Sequence, residues 1–282
     1  MSLNSVNTNS GAMIALQSLN RTNDQLASVQ KQISTGYRVS DATDDGAAFA
    51  IAQRVRSDVS SLTSANQQLG NVKGLVTVTT KTLTDVQGTM DKMRGLLVKL
   101  ADGNTQGDAR TQDITSYKQM LATVKSNISD ASYSGKTLIG NIGSGTSGFG
   151  AVDVVRNEVG ATYNIATFSG SALYSALTNT AALTNAAGAA ALITAGGTFI
   201  AKYSTVGTQL NSYGAASNYI DSQVSFNNDK IDALNSGLGS LVDADLAKES
   251  AQMQALQIRQ QLGTQSLSIA NQAPQSLLSL FK

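Results

Sequence analysis

The sequence predicts a mainly α-helical protein: a long antiparallel helical bundle or coiled coil built from both chain ends, with a small β-containing central insertion. Three observations favour this fold class. Apolar residues keep heptad spacing in three separated segments. Residues 132–198 lose that spacing and are rich in Gly, Ser and Thr. Hydrophobic residues make up 41% of the chain but aromatic residues only 5%, which favours thin helical layers over a thick core.

The longest heptad run starts at Ile51. Steps of alternately four and three residues reach Leu100, and polar residues interrupt the apolar pattern only at Asp58 and Thr79. About fifty residues at 1.5 Å each predict a helix of roughly 75 Å. Heptads at residues 114–128 and 199–241 predict two more helices. We therefore expect one bundle closed by residues from both halves of the chain.

The central insertion has a different pattern. The stretch "VDVVRNEVGATYNIATF" alternates well enough to predict two short strands with a turn near Gly160. The stretch "SALYSALTNTAALTNAAGAAALITAGG" is rich in small residues and is compatible with a weak helix or a loop. Low charge and many Ser, Thr and Gly residues predict a surface excursion that does not hold the fold together.

The two ends of the chain predict a further helical layer. Near the finish, apolar residues define two stripes on one predicted helix, so that helix needs neighbours on two sides. The N-terminal helix can be one neighbour, and the other must come from outside this chain. Pro274 is expected to end or bend the last helix, and the apolar residues beyond it have nothing after them to cover them. The candidate assembly contacts are Leu16, Leu19, Leu26, Ile33, Ile258, Leu262, Leu267, Ile269, Leu277, Leu278, Leu280 and Phe281.

Two connectors join the end helices to the bundle. They are "STGYRVSDATDDGAAFAIAQR" and "NSGLGSLVDADL". Asp44 or Asp45 is expected near the positive N-terminal end of the helix that follows. Paired acids here and at Asp243 and Asp245 could also form an acid/base pair or a calcium site, but turn and helix-start chemistry explains them better.

Composition excludes several classes of function. The chain has no His and no Cys, which excludes Ser-His and Cys-His nucleophile pairs, the usual zinc sites and disulfides. We therefore expect no enzyme and no cofactor. The net charge is +1 with scattered basic residues, so no nucleic-acid partner is expected. No apolar run is long enough for membrane insertion, and the N-terminus lacks the pattern of a cleaved signal peptide.

Both ends resemble a known family. The stretch "SVNTNSGAMIALQSLNRTNDQLASVQKQISTGYRVSDATDDGAAFAIAQRV" resembles the start of bacterial flagellins, and "LVDADLAKESAQMQALQIRQQLGTQSLSIANQAPQSLLSLF" resembles their C-terminal end. The resemblance implies a subunit that is exported through the hollow flagellum and polymerises at its tip into an extracellular helical propeller for swimming. The short middle segment implies a compact flagellin.

The resemblance also implies a division of the chain. Residues 1–33 plus 244–282 would be terminal helices, disordered in the free monomer, that form the inner tube of the filament. Residues 34–131 plus 199–243 would be the connectors and a rod-like core of three helices. Residues 132–198 would be a surface-exposed variable segment. O-linked glycans are implied for exposed hydroxyls, and the candidates are Ser144, Thr146, Ser147, Thr167, Ser169 and Ser171.

The implied partners are those of a filament subunit: other flagellin copies in a homopolymer or mixed filament, the flagellar export apparatus with an export chaperone, and hook-associated and cap proteins. In relatives that stimulate an innate immune receptor, the receptor contacts the face corresponding to "DKMRGLLVKL". Lys92 stands there in place of an arginine, so weak activation is expected, because lysine lacks the planar fork of donors.

Two other classes of protein share part of this pattern. A chemoreceptor signalling coiled coil also has Ala-, Ser- and Gln-rich heptads. However, adaptation in those proteins needs methylatable glutamates, and this chain has only Glu158 and Glu249. The closer alternative is a hook-filament junction or other axial flagellar protein. Those proteins usually have larger outer domains and match the flagellin ends less completely.

Overall fold

A computed structural model describes residues 8–140, 142 and 148–279, with side chains up to residue 272. Within these residues the fold is mainly helical, with one two-stranded sheet, and this confirms the predicted fold class. The elements are α1 (Ser10–Thr35), α2 (Gly46–Ala101), α3 (Gly107–Asp130), β1 (Val152–Val155), β2 (Thr162–Ile165), α4 (Gly170–Leu177), a 3-10 helix (Thr180–Thr184), α5 (Ala186–Ile193), α6 (Thr198–Val242) and α7 (Leu246–Ser279).

The chain forms two compact units. The first comprises Met1–Ser57 and Asp232–Lys282, and the second comprises Asp58–Ile231. Helices α2 and α6 each contribute residues to both units. Among the described helices, none combines the length and apolar character that a membrane span requires.

In the second unit, α2, α3 and α6 share one apolar core. The heptad positions of α2 from Leu62 to Leu100 are buried, except Val72, which is partly buried, and α3 and α6 contribute residues to the main apolar cluster. The polar interruption at Thr79 is also buried, and its hydroxyl donates to the Leu75 carbonyl at 2.8 Å. Since this bond lies within the helix, the hydroxyl is satisfied without a partner across the bundle. Buried positions on the three helices include Leu69, Val76, Leu83, Met90, Leu97, Tyr117, Leu121, Val124, Ile128, Phe199, Val206, Tyr213 and Ile220.

The central hairpin has the predicted form. Strands β1 and β2 pair antiparallel, with Val152 opposite Ile165 and Val155 opposite Thr162. Gly160 lies in the turn with φ of +78°, a conformation that a side chain disfavours. The predicted strand pair and turn position are therefore confirmed.

The expectation that the central insertion takes no part in holding the fold together is wrong. The small-residue stretch forms α4, the 3-10 helix and α5, and their leucines belong to the main buried cluster. A Cβ atom at Gly170 would lie 2.2 Å from the Ile139 carbonyl oxygen, so the start of α4 packs directly on backbone. A few leucines are enough to join the insertion to the core, because the small residues between them let its backbone approach the neighbouring backbone closely. Buried residues of the insertion include Leu138, Ile139, Val154, Ile165, Leu173, Leu177, Leu183, Ala189 and Leu192.

Arg110 is a buried cation that connects three backbone segments. Its Nε donates to the Thr105 carbonyl at 2.8 Å, Nη1 to Leu183 at 2.6 Å and Nη2 to Leu100 at 2.5 Å. These carbonyls belong to the α2–α3 loop, the 3-10 helix and the last turn of α2. The Arg110 side chain therefore donates to carbonyl groups at and just after the C-terminal end of α2, where backbone carbonyls lack partners within the helix.

In the first unit, α1 and α7 run antiparallel and pack on each other. The Asn9 side-chain amide donates to the Ala270 carbonyl at 2.7 Å, and Gln260 donates to Asn23 Oδ1 at 2.8 Å. The expected pairing of the two end helices is thus confirmed. Helix α7 continues past Pro274 to Ser279, so of the two expected effects this proline does not end the helix, and a bend stays a prediction.

Candidate assembly surface

The α1–α7 pair buries little of its apolar surface. Val29 and Leu256 are each 3% exposed and represent the buried stripe between the helices. Leu19, Leu26, Ile33 and Leu267 are half-buried. Two helices in one layer can cover only the stripe along which they meet, so each keeps a second face open.

Several apolar side chains of the two helices are strongly exposed. Among the predicted contacts, Leu16 is 47% exposed, Leu262 57%, Ile258 58% and Ile269 68%. Met13 and Ile14, which sequence reasoning did not select because they lie off the heptad positions, are 65% and 67% exposed. Exposed apolar side chains in such numbers on one helix pair indicate an interaction surface. The side chains of the remaining predicted contacts, Leu277, Leu278, Leu280 and Phe281, lie outside the described residues.

The two predicted connectors bind each other. The backbone N–H groups of Arg38 and Val39 donate to the Val242 carbonyl at 2.7 and 3.3 Å, and the Ala244 N–H donates to the Gly36 carbonyl at 2.9 Å. Gly36 ends α1 in the left-handed conformation, with φ of +74°. These bonds fix where α1 ends relative to the start of α7.

Acidic residues of the first connector have structural partners. The Lys31 ammonium binds Asp41 at 2.6 Å and Asp44 at 2.9 Å. The hydrogen bond from Lys31 lowers the pKa of Asp44 to about 2 and holds the pKa of Asp41 well below its usual range. Because both folded-state pKa values are depressed, any stability from these contacts is present above about pH 4 and is lost as pH falls through the folded-state values.

Helix capping accounts for two more of the acids. Asp45 Oδ1 accepts from the Ala47 and Ala48 N–H groups at 3.0 Å, which confirms the predicted acid at the start of α2. Asp245 accepts from the first turn of α7 in the same way. The described residues contain no group of three or more His, Cys, Asp or Glu that could hold a metal ion.

The structure also shows the surroundings of some candidate glycosylation residues and of Lys92, the residue predicted to weaken receptor contact. Ser169 caps α4, where its hydroxyl accepts from the Ala172 N–H at 3.2 Å, and Thr167 and Ser171 are half-buried. Ser144, Thr146 and Ser147 lie outside the described residues. Lys92 is exposed on α2, next to the buried Met93.

Comparison with known proteins places the chain in a family. The family model described as bacterial flagellin N-terminal helical region matches residues 6–144, and the one described as bacterial flagellin C-terminal helical region matches residues 197–281. Flagellin FljK of Caulobacter vibrioides is 38% identical over 293 aligned residues, covering 100% of both chains. A flagellin of Brucella melitensis is 34% identical, covering 99% of both.

A solved structure supports the fold. The crystal structure of Bacillus cereus flagellin has a TM-score of 0.50 at 15% identity and covers 57% of this chain and 88% of its own. Nothing in these matches favours a junction or other axial protein over a filament subunit. The matched models, full-length relatives and helical fold show that this chain belongs to the bacterial flagellins and is a structural subunit of the flagellar filament, not an enzyme.

Proposed function

We propose that the open face of the α1–α7 pair is the surface through which this flagellin binds neighbouring copies in the filament. One observation carries the proposal: Ile258, Leu262 and Ile269 of α7 are each more than half exposed, although α7 already packs on α1. Flagellins self-assemble into filaments, so a second copy is the partner that covers such a face. The contacts are Leu16, Leu19, Leu26, Ile33, Ile258, Leu262, Leu267 and Ile269, joined by Leu277, Leu278, Leu280 and Phe281.

This surface fits a layered filament. In the proposed arrangement, residues 1–33 plus 244–282 form the inner tube, and residues 34–131 plus 199–243 form the layer around it. Residues 132–198 face solvent on their outer side. The exposed apolar side chains of α1 and α7 support the inner position, because subunit contacts there remove them from water.

We propose further partners because the chain belongs to the flagellins. The subunit is exported without a cleaved signal peptide by the flagellar export apparatus, with a chaperone that covers the apolar C-terminal region beforehand. It meets hook-associated and cap proteins at the filament's ends. In the assembled filament it is extracellular, and hydroxyls of residues 132–198 that remain accessible are the proposed glycan acceptors.

Polar substitutions on α7 test the proposed surface. Replacing Leu262 or Ile269 by Gln is expected to leave the thermal midpoint of the monomer nearly unchanged, since both side chains already contact water. Losing the burial of one such side chain costs about 1.5–3 kcal/mol, so the critical concentration for polymerisation should rise roughly tenfold to a hundredfold. Sedimentation of seeded filaments measures the critical concentration.

Val159→Gln is the matched control. This side chain is 77% exposed in the turn of the central hairpin, which is proposed to face solvent. The Val159→Gln variant should polymerise like the parent chain. Normal polymerisation of the α7 variants, or an equal defect in Val159→Gln, would contradict the proposed surface.

Weak contact with an innate immune receptor is a separate proposal. It is supported by the exposed Lys92 on α2, where a lysine gives one cationic donor group in place of the arginine fork. A reporter-cell titration against a strongly activating flagellin measures the difference. Equal potency of the two proteins would refute it.

A further inference from the structure

A groove between α1 and α7 carries two exposed basic side chains. Its volume is about 510 Å³, and Arg21 of α1 and Arg259 of α7 both line it. Its other lining residues are uncharged, among them Ser18, Gln25 and Gly263. Among the described residues, neither arginine forms an ion pair. The groove is therefore a positively charged surface that no carboxylate of the described chain neutralises.

Helix α1 carries an exposed stripe with an acid at one end. Met13 and Asp24 are eleven residues apart, which is about three helical turns, so they lie on one face of α1. Met13 and the adjacent Ile14 are 65% and 67% exposed. The Asp24 carboxylate is exposed and forms no ion pair within the described part of the chain. Leu19 and Asn23, which meet α7, lie on a different face.

The spacing of the charged and apolar groups matches on the two helices. Ile14 precedes Asp24 by ten residues, and Ile269 follows Arg259 by ten residues, which is about 15 Å along each helix. On α1 the apolar group comes first, whereas on α7 the basic group comes first. An α1 helix that lies antiparallel to α7 can therefore bring both pairs of groups together at once. A parallel α1 helix can bring together only one of them.

The α1 stripe and the groove are two different surfaces of the same chain. A contact between unlike surfaces of identical copies is heterologous, and such contacts propagate into helical polymers when they do not close into a ring. The opposite charges and the matched spacing favour a second copy as the occupant of the groove. This type of contact is the one that a filament subunit needs.

We infer that the α1 stripe of one copy docks into the groove between α1 and α7 of the next copy, antiparallel to that α7. Asp24 of the first copy then lies between Arg21 and Arg259 of the second. Ile14 of the first copy covers Ile269 of the second. The inference rests on the proposed function, because it names the surface that covers the exposed apolar face of α7. Carboxylate–guanidinium pairs are short and directional, so they fix the register of this contact.

Charge reversal in the full-length chain tests the pairing. Asp24→Arg brings a third cation to the groove and should raise the critical concentration for polymerisation at least tenfold, because like charges repel strongly in an interface. A groove variant with both Arg21→Asp and Arg259→Asp faces Asp24 with two carboxylates and should show a similar rise. All three side chains are exposed, so the thermal midpoints of the monomers should stay close to that of the parent.

Mixing the two variants separates a contact between copies from a contact within one copy. In an equimolar mixture, the arginine introduced by Asp24→Arg meets the two aspartates of the groove variant. The unchanged groove of the Asp24→Arg copies meets the native Asp24 of the groove variant. Seeded polymerisation, measured by sedimentation, should therefore return to within a few fold of the parent. A mixture that assembles no better than its components would overturn the inference.

Asp153→Arg is the matched control for charge reversal. Asp153 is exposed on β1, in the segment proposed to face solvent, so this variant should polymerise like the parent. Normal polymerisation of Asp24→Arg, or an equal defect in Asp153→Arg, would also overturn the inference. If Asp24→Arg polymerises normally while the Leu262 and Ile269 variants fail, this docking is wrong and the proposed apolar surface stands. Normal assembly of the Leu262 and Ile269 variants would instead contradict the proposed function.

Discussion

Deletion of residues 271–282 is expected to abolish filament formation while leaving thermal unfolding of the Asp58–Ile231 unit nearly unchanged. The deleted segment carries Leu277, Leu278, Leu280 and Phe281. Burying each side chain contributes roughly 1.5–3 kcal/mol, so the four together contribute about 6–12 kcal/mol per subunit before ordering entropy is subtracted. The core residues that hold the unit together come from the unit itself.

Sedimentation and electron microscopy of seeded samples measure the filaments, and calorimetry measures the unfolding. A full-length variant with Gln at the four apolar positions separates the chemistry of the side chains from the length of α7. It should fail to polymerise in the same way. Filaments of normal yield and appearance from the truncated chain would show that these residues do not drive assembly.

Replacement of the buried Arg110 by Met should destabilise the monomer strongly. Methionine matches the aliphatic part of the side chain but leaves the carbonyls of Leu100, Thr105 and Leu183 without their charged donor. Hydrogen bonds to charged groups contribute about 1.5–3 kcal/mol each but are not additive, so a loss of about 3 kcal/mol is expected. For a unit of this size that lowers the thermal midpoint by roughly 6–12 °C.

Two variants calibrate this result. Arg110→Lys keeps the charge but cannot reach three carbonyls with a planar fork, so its midpoint should lie between those of the parent and Arg110→Met. Arg94→Met removes an exposed arginine from α2 and should change stability by no more than about 0.5 kcal/mol. If Arg110→Met unfolds at the same temperature as Arg94→Met, the three carbonyl contacts do not stabilise the fold.

The long helices could be predicted from sequence because their signal is local. Nearly every heptad position of α2, such as Leu69 or Leu83, is apolar, so the period alone predicts which stripe of the helix is buried. The hairpin was predictable for the same reason, since alternation and the glycine in the turn both lie within one short stretch. The family resemblance then supplied the filament function, which no periodicity contains.

Features that depend on distant partners were not predictable. Leu173 and Leu192 lie in small-residue sequence with little periodicity, and their burial follows from where α4 and α5 meet the rest of the core. Arg110 gave no signal, because its carbonyl partners are backbone groups that any residue could provide.

The pairing of α1 with α7 also governs the order in which the chain can fold. The bond from Asn9 to Ala270 joins residues 261 positions apart, and the bond from Arg38 to Leu241 joins residues 203 apart. Closing a loop of that length costs on the order of 5 kcal/mol in chain entropy. During synthesis α1 emerges long before α7 exists, so it stays without its partner until the last part of the chain is made. The same distance makes this pair prone to domain swapping, in which α7 of one copy pairs with α1 of another at little extra cost.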